Sequence, residues 1–276
     1  MTHFLESLES IVQHHIAPAA AETDRDARFP RAALDALGQA GLLGLVSATE
    51  VGGLGQGLAQ AAQAVERIAR DCPSTAMVLT MHYAGTVLIE KYGPQTVRQA
   101  IAAGRHVTTL AWSEAGSRSH FWAPVSTATA DGAEHVRLDA HKSMVTSAQQ
   151  ADSYVWSSRP VAADGAATLW LVDSRLPGLS SPQTFDGMGL RGNASAPVRA
   201  QQVRLALQDR GFFVRQEHPA RLLLNTVAES GARWLDRDDV DPQMLPAMRD
   251  AVDHVVRNYR DDAVVFARAN DELQSR

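Results

Sequence analysis

Cysteine is nearly missing from this chain: Cys72 is the only one in 276 residues. An internal disulfide framework and any multi-cysteine metal site are thereby excluded. Basic charge is not in excess either. Lys and Arg number 26 against 31 acidic residues, for a net charge of −5, and the cations are scattered rather than striped. Phosphate backbones call for clustered Lys and Arg, so nucleic acid is not an expected partner. No run approaches the ~20 consecutive apolar residues that a membrane span needs. The opening "MTHFLESLESIVQHH" is acidic and lacks a basic-then-apolar pattern, so it does not read as a secretion signal. The expectation is a cytoplasmic, soluble protein. Its 45% hydrophobic and 21% charged residues suit a globular chain with a real core, in one large domain or two to three small ones.

Periodicity divides the chain into helical, β and helical parts. "RAALDALGQAGLLGL" places Leu34, Leu37, Ala40 and Leu43 on one stripe, with Pro30 in a first turn. "LAQAAQAVERIAR" repeats the pattern through Leu58, Ala61, Val65 and Ile68. "STAMVLTMHYAGTVLIEKYG", capped by Ser74 and stopped by Gly93, is apolar nearly all round and predicts a central buried helix. Pro94 opens one more helix, which ends at Gly104. Short β-branched and aromatic segments follow, from "HVTTLAWS" to "APVRAQQVRLAL", with Asp131–Gly132 and Asp164–Gly165 as tight turns. No helical stretch separates them, which predicts an antiparallel barrel or sandwich. Helical spacing returns from about Pro219. The expected class is therefore α+β: an N-terminal helical bundle (1–105), a central antiparallel β-barrel (106–215) and a truncated C-terminal helical domain (216–276).

Most isolated motifs are bland. "GGLGQG" at 52–57 follows a helix rather than a strand, so it reads as an inter-helix turn and not a dinucleotide cradle. "DRDDVD" lacks the glycine and distal glutamate of a calcium loop. His14 and His15 are adjacent and face apart, which suits no metal. Cys72, without an evident paired base, reads as a small filler. "AWSEAGSRSHFWAP" (111–124) is denser. Ser113, Gly116, Ser117 and Ser119 follow a predicted strand, where donors could face an anion or a flavin edge. Ordinary turn residues and packing tryptophans are the equal alternative.

The stretch has company in sequence order. "TEVGGLGQG" resembles "PEEYGGLG", and "IEKYGPQTVRQAIAAGRHVTTLAWSE" resembles a segment running from "YGTEEQK" to "TEP". "HKSMVTSAQQADSYVWSSR" resembles "GxKxFITNAxxADxxVVxAR", and "GMGLRGNASAPVRAQQVRL" resembles "KLGxRGSxTxxVxFxxVRVP". Together, over about residues 30–207, the chain resembles the acyl-CoA dehydrogenase family of flavoproteins. The resemblance implies FAD held mainly by the β domain, and α,β-dehydrogenation of an acyl-CoA thioester. It also implies an electron-acceptor flavoprotein or reductase and a homo- or hetero-oligomer. By position it sets Ser113 at the pyrimidine edge of the isoalloxazine and Ser117 by the pyrophosphate. Thr146 falls against the flavin, Met144 in place of the aromatic residue over one flavin face, and Trp112 as an added wall. Hydroxyls suit flavin carbonyls and phosphate oxygens, and a thioether suits a ring.

The departures are specific. "TEPxAGSD" is shortened to "SEAGSR", with Arg118 for the aspartate, and His120 is expected near substrate or a partner subunit. Proton removal from Cα needs a carboxylate of adjusted pKa. No "YEG" tripeptide follows residue 207, and Ala220 precedes Arg221 where the family's other base stands. Arg221 is expected to pair with a CoA phosphate. Glu217 and Glu229 are the nearest replacement carboxylates. From Pro219 only 58 residues remain, enough for about two long helices. Two alternatives stay open: a non-catalytic or half-site subunit that pairs with a complete homologue, and a flavin-dependent monooxygenase of the same architecture.

Overall fold

The computed structural model of the chain describes residues 3–117, 124–159, 161, 167–182 and 185–206. Helices come first. α1 (His3–Ile11) runs through a π-helical turn at Val12–Ile16 and a 3-10 turn holding Pro18 into α2 (Ala20–Arg25). A proline inside a helix removes one amide donor and crowds the preceding turn, which accounts for the irregular passage. α3 (Arg31–Gln39) follows Pro30 and buries Leu34 and Leu37. Ala40, expected on that stripe, is instead the exposed residue that ends the helix, and Leu43 is buried from the turn beyond. α4 (Leu58–Ala69) buries Ala61, Ala64 and Ile68.

α5 (Pro73–Tyr92) is the 20-residue central helix that the unbroken apolar run predicts, buried on nearly every side. Its cap position is Cys72, while Ser74 lies inside the first turn. Ser74 works elsewhere: its Oγ accepts the Gly192 amide at 3.3 Å. α6 (Gln95–Ala102) completes the helical layer. His82 of α5 is fully buried and bonded at both ring nitrogens, to the Leu43 carbonyl at 2.9 Å and to the Thr108 amide at 3.2 Å. One imidazole therefore hooks the first strand onto the helix.

The strands are β1 (Thr108–Ala111), β2 (Thr127–Asp131), β3 (His135–Val145), β4 (Ser153–Ser158), β5 (Thr168–Asp173), β6 (Leu179–Ser180) and β7 (Ala196–Ala206). "EHVRLD" and "HKSMVTS" belong to one bulged strand, β3. Two corrections concern topology. The strands do not close into a barrel: they form a three-stranded sheet, β1-β4-β5, and a four-stranded sheet, β2-β3-β7-β6. Nor are all pairs antiparallel, because β1 and β4 run parallel. A parallel pair needs a long crossover, usually a helix. Here the β2–β3 hairpin of the other sheet fills that place, which strand spacing alone does not reveal.

Two apolar layers result. Between the sheets lie Leu138, Val145, Trp156, Trp170, Val198 and Val203, among others. Trp156 and Trp170 are register partners on β4 and β5 and are fully buried. Each such ring withdraws roughly 150–250 Å² from water, about 4–6 kcal/mol as an upper estimate. On the other face of the three-stranded sheet, Trp112, Val155 and Leu169 pack against Leu88, Ile89 and Ile101 of the helices.

Candidate functional site

The stretch from 111 leaves β1 at its first tryptophan. Trp112 is only 6% exposed and joins the apolar layer beneath α5 and α6, so its ring belongs to the interior and is no wall of an open site. Ser113 is exposed, and its carbonyl accepts the Ser143 amide at 2.8 Å. Glu114 turns inward. Ser117 closes the turn by donating both its amide (3.2 Å) and its hydroxyl (2.9 Å) to the Glu114 carbonyl. The hydroxyl proton expected for a pyrophosphate is thus spent within the turn. Arg118 and His120 lie outside the described residues, as do Glu217, Ala220, Arg221, Glu229 and the expected C-terminal helical domain.

Opposite Glu114 stands Lys142, wholly buried on β3. Its Nζ lies 2.9 Å from Glu114 Oε1 and donates to the Ser157 carbonyl at 2.7 Å and the Ser157 hydroxyl at 3.0 Å. Glu114 Oε2 accepts the amides of Val125 and Ser126. Burial opposes the charge on Glu114, but Lys142 and the Ser126 contacts outweigh it and hold the carboxyl below its ordinary range. Burial likewise pulls Lys142 down to about 8 against the attraction of Glu114. The carboxylate next to Ser113 is therefore a fixed counter-ion with its oxygens occupied, and is no proton acceptor for a substrate.

Beyond Lys142 the strand opens to the surface. Met144 is 57% exposed although apolar. Thr146, half-buried, lies 3.3 Å from the hydroxyl of Ser195. Two turns face each other here. The first carries Ser147 and Gln149 at positive φ (58° and 61°), the second Leu190 and Ala194 (58° and 51°). The Ser147 and Ala148 amides donate to the Asn193 and Ala194 carbonyls at 3.0 and 3.1 Å, and Asn193 Oδ1 accepts the Ser195 amide at 2.8 Å. Left-handed conformations at non-glycine residues cost energy and persist where surroundings over-determine them.

The bond from the Ser143 amide to the Ser113 carbonyl sets Ser113 beside the end of β3, at the rim where Met144 and Thr146 follow in the chain, while Trp112 packs inward and the Ser117 hydroxyl bonds within its own turn. Glu114, Lys142, Asn193 and Ser195 belong to the same construction and were not singled out from the sequence. A hollow of about 240 Å³ lies elsewhere, bordered by His15, Thr23, Arg28, Phe29, Arg31 and Thr75. It is smaller than the roughly 300–1,000 Å³ of common ligand pockets, and its cations are already used: Arg28 pairs with Glu22 and Arg31 donates to the Gln150 carbonyl. Among the described residues there is no group of three potential metal ligands, and no helix is long and apolar enough to cross a membrane.

Helices stacked on two sheets, with an exposed thioether and hydroxyls at the sheet ends, define a class that comparison with known proteins identifies. The family model described as "Acyl-CoA dehydrogenase, N-terminal domain" matches residues 2–104, and "Acyl-CoA dehydrogenase, middle domain" matches 109–203. The chain belongs to the acyl-CoA dehydrogenase family. A model of a protein family of unknown function (DUF1631, second domain) also matches 199–262. The short-chain specific acyl-CoA dehydrogenase of Homo sapiens mitochondria is 29% identical over 210 residues, 73% of this chain and 50% of that protein. The amino sugar nitrososynthase RubN8 of Streptomyces rubradiris is 29% identical over 209 residues, 70% of this chain and 48% of that protein. The chain spans about half the length of the curated relatives it matches. Butyryl-CoA dehydrogenase from Megasphaera elsdenii shares the fold, with a TM-score of 0.73 and 17% identity over 92% of this chain and 76% of that one.

Proposed function

We propose that this chain supplies the flavin-facing sheets and the helical floor of an FAD-dependent oxidoreductase that dehydrogenates an acyl-CoA thioester at Cα–Cβ. The observation that carries the reading is the rim itself. An apolar Met144 stands out in solvent beside Ser113 and Thr146, on strand ends anchored by a buried ion pair. Single exposed apolar side chains are common on protein surfaces; what supports a covering ring here is the position of Met144 within the stretch that the family's middle-domain model matches.

The residues present fit an isoalloxazine in part. Thr146 and Ser195 share one hydrogen bond between two hydroxyls, which leaves a second hydroxyl proton for a ring carbonyl. The exposed Ser113 offers another donor, and the Met144 thioether offers a polarizable platform for a flat ring. FAD, when bound, would accept the hydride that leaves Cβ. The chain's own residues would orient the ring and exclude water from one face. Removal of the Cα proton requires a free carboxylate, and Glu114, tied to Lys142 and two amides, is not one. Turnover therefore needs a base other than Glu114, and the half-site reading, in which a complete homologue supplies it, is tested by mixing the two. An electron-acceptor flavoprotein or reductase would reoxidise the assembly.

A second reading has its own support. Identity to the nitrososynthase equals identity to the human dehydrogenase, at 29%. A nitroso group forms by oxidation at nitrogen, which a reduced flavin would support with O2 as oxidant and oxygen source, a chemistry that needs no Cα base. The test begins with FAD titration of the purified chain, followed by visible absorbance. Saturable uptake supports both readings, and a chain that stays colourless with added FAD ends both. Anaerobic bleaching by an acyl-CoA, alone or with a longer homologue, then selects dehydrogenation. Oxygen consumption with a reductase and an amine selects the alternative.

A further inference from the structure

The two sheets meet along one seam that no strand ladder closes. Among the described residues, single-residue bridges span it, Glu114 to Lys142 and Thr127 to Arg159. At the first of these, one charge pair collects four chain segments. Lys142 reaches from β3 to the Ser157 carbonyl and hydroxyl of β4, and lies 3.5 Å from the Trp112 carbonyl just past β1. Glu114 takes up the amides of Val125 and Ser126, where the chain enters β2. The ammonium also sits 5.2 Å from the centre of the Trp156 ring.

Stability alone does not explain such a pair. Withdrawing two charges from water is costly, and apolar residues of similar volume often serve a core as well or better. What the pair supplies, and packing does not, is a directional link of fixed length. Ser113 precedes Glu114 and is bonded to Ser143; Ser143 and Met144 follow Lys142; Thr146 comes two residues further on. We propose that Glu114 and Lys142 are positioning residues. By locking the end of β1 to the end of β3 across the open seam, they set the spacing of Ser113, Met144 and Thr146 for the flavin. The inference rests on the flavin reading above, and its test has one arm that does not need flavin.

The variant is the double substitution Lys142→Met, Glu114→Gln in the full chain. It removes both charges together, so neither is stranded, and glutamine retains an acceptor for the Val125 and Ser126 amides. Three quantities are measured: thermal midpoint, FAD affinity and amide hydrogen exchange. The expected result is a midpoint within a few degrees of the parent and FAD affinity weakened about tenfold or more. Exchange is expected to rise about tenfold across 113–117, 125–127 and 142–146 while β5 (168–173) stays unchanged. Unchanged exchange at those three segments overturns the proposal, whatever FAD does. So does FAD affinity within about twofold of the parent. If the parent itself takes up no FAD, the flavin reading falls separately and exchange alone decides this one. Should the double variant not fold, Glu114→Asp, which keeps the charge and shortens its reach by one methylene, is judged by the same criteria.

Discussion

Replacing Gly192 by alanine drives a methyl group into the junction between the helices and the rim. A Cβ at that position meets the Thr23 methyl and lies 2.7 Å from two backbone carbonyl oxygens, those of Arg28 and Thr23. A methyl can rotate aside, but carbonyls fixed by α2 and the turn before α3 cannot. Forcing extra volume into such a contact costs about 1–3 kcal/mol. The displaced segment also strains two hydrogen bonds, Gly192 amide to Ser74 Oγ at 3.3 Å and Arg191 amide to Asp24 Oδ1 at 3.1 Å. Each is worth about 0.5–1.5 kcal/mol. Gly192→Ala is therefore expected to lose about 2–6 kcal/mol, a fall in melting temperature on the order of 10 °C. Gly189, three residues earlier, has nothing within 4 Å of where an alanine methyl would sit, and its backbone lies outside the left-handed region. Gly189→Ala should stay within about 0.5 kcal/mol of the parent. Urea denaturation followed by tryptophan fluorescence compares the two. Equal midpoints for both variants would refute the claim that Gly192 is wedged between the layers.

Stability should fall as pH drops from about 6.5 to about 4, because burial depresses the His82 pKa from 6.5 to about 4. In that window the unfolded chain binds a proton that the folded chain refuses, for a total loss of about 3 kcal/mol. His82→Gln, neutral throughout, should flatten this part of a pH series of urea midpoints. Ser117→Ala should cost about 1 kcal/mol through the lost bond to the Glu114 carbonyl and leave FAD titrations near those of the parent. Thr146→Val should weaken FAD binding about fivefold and cost no more than about 1 kcal/mol of stability through the lost bond to Ser195. Met144→Ala, at an exposed position, should leave the melting temperature in place while FAD affinity drops.

The layer order was legible because α5 is apolar on all sides and the strands alternate, signals that survive without knowledge of partners. Sheet assignment was not, since β1 pairs in parallel with a strand beyond an intervening hairpin, and only long-range contacts decide that. The resemblance pointed to the ends of β1 and β3, yet it could not tell which atoms there face outward. Trp112 looked like a wall and packs inward; Ser117 looked like a donor and is already donating. Lys142 was readable in principle. It continues the inward parity of Val136, Leu138 and Ala140 on β3, and a lysine in that series demands a buried carboxylate. Ala40 misled because a stripe drawn on a helical wheel does not show where the helix stops.

The detour between β1 and β4 also sets an order of events in folding. Thr108 cannot meet Ser153 until the intervening chain has doubled back, whereas β2 and β3 meet across a short Gly132 turn. Closing the longer loop costs more entropy and yields its bonds later. Pulse-labelled exchange during refolding should find amides of 127–145 protected before those of 108–111. The edge that carries Ser113 would then be among the last parts of the sheets to arrive, shaped on a hairpin already in place.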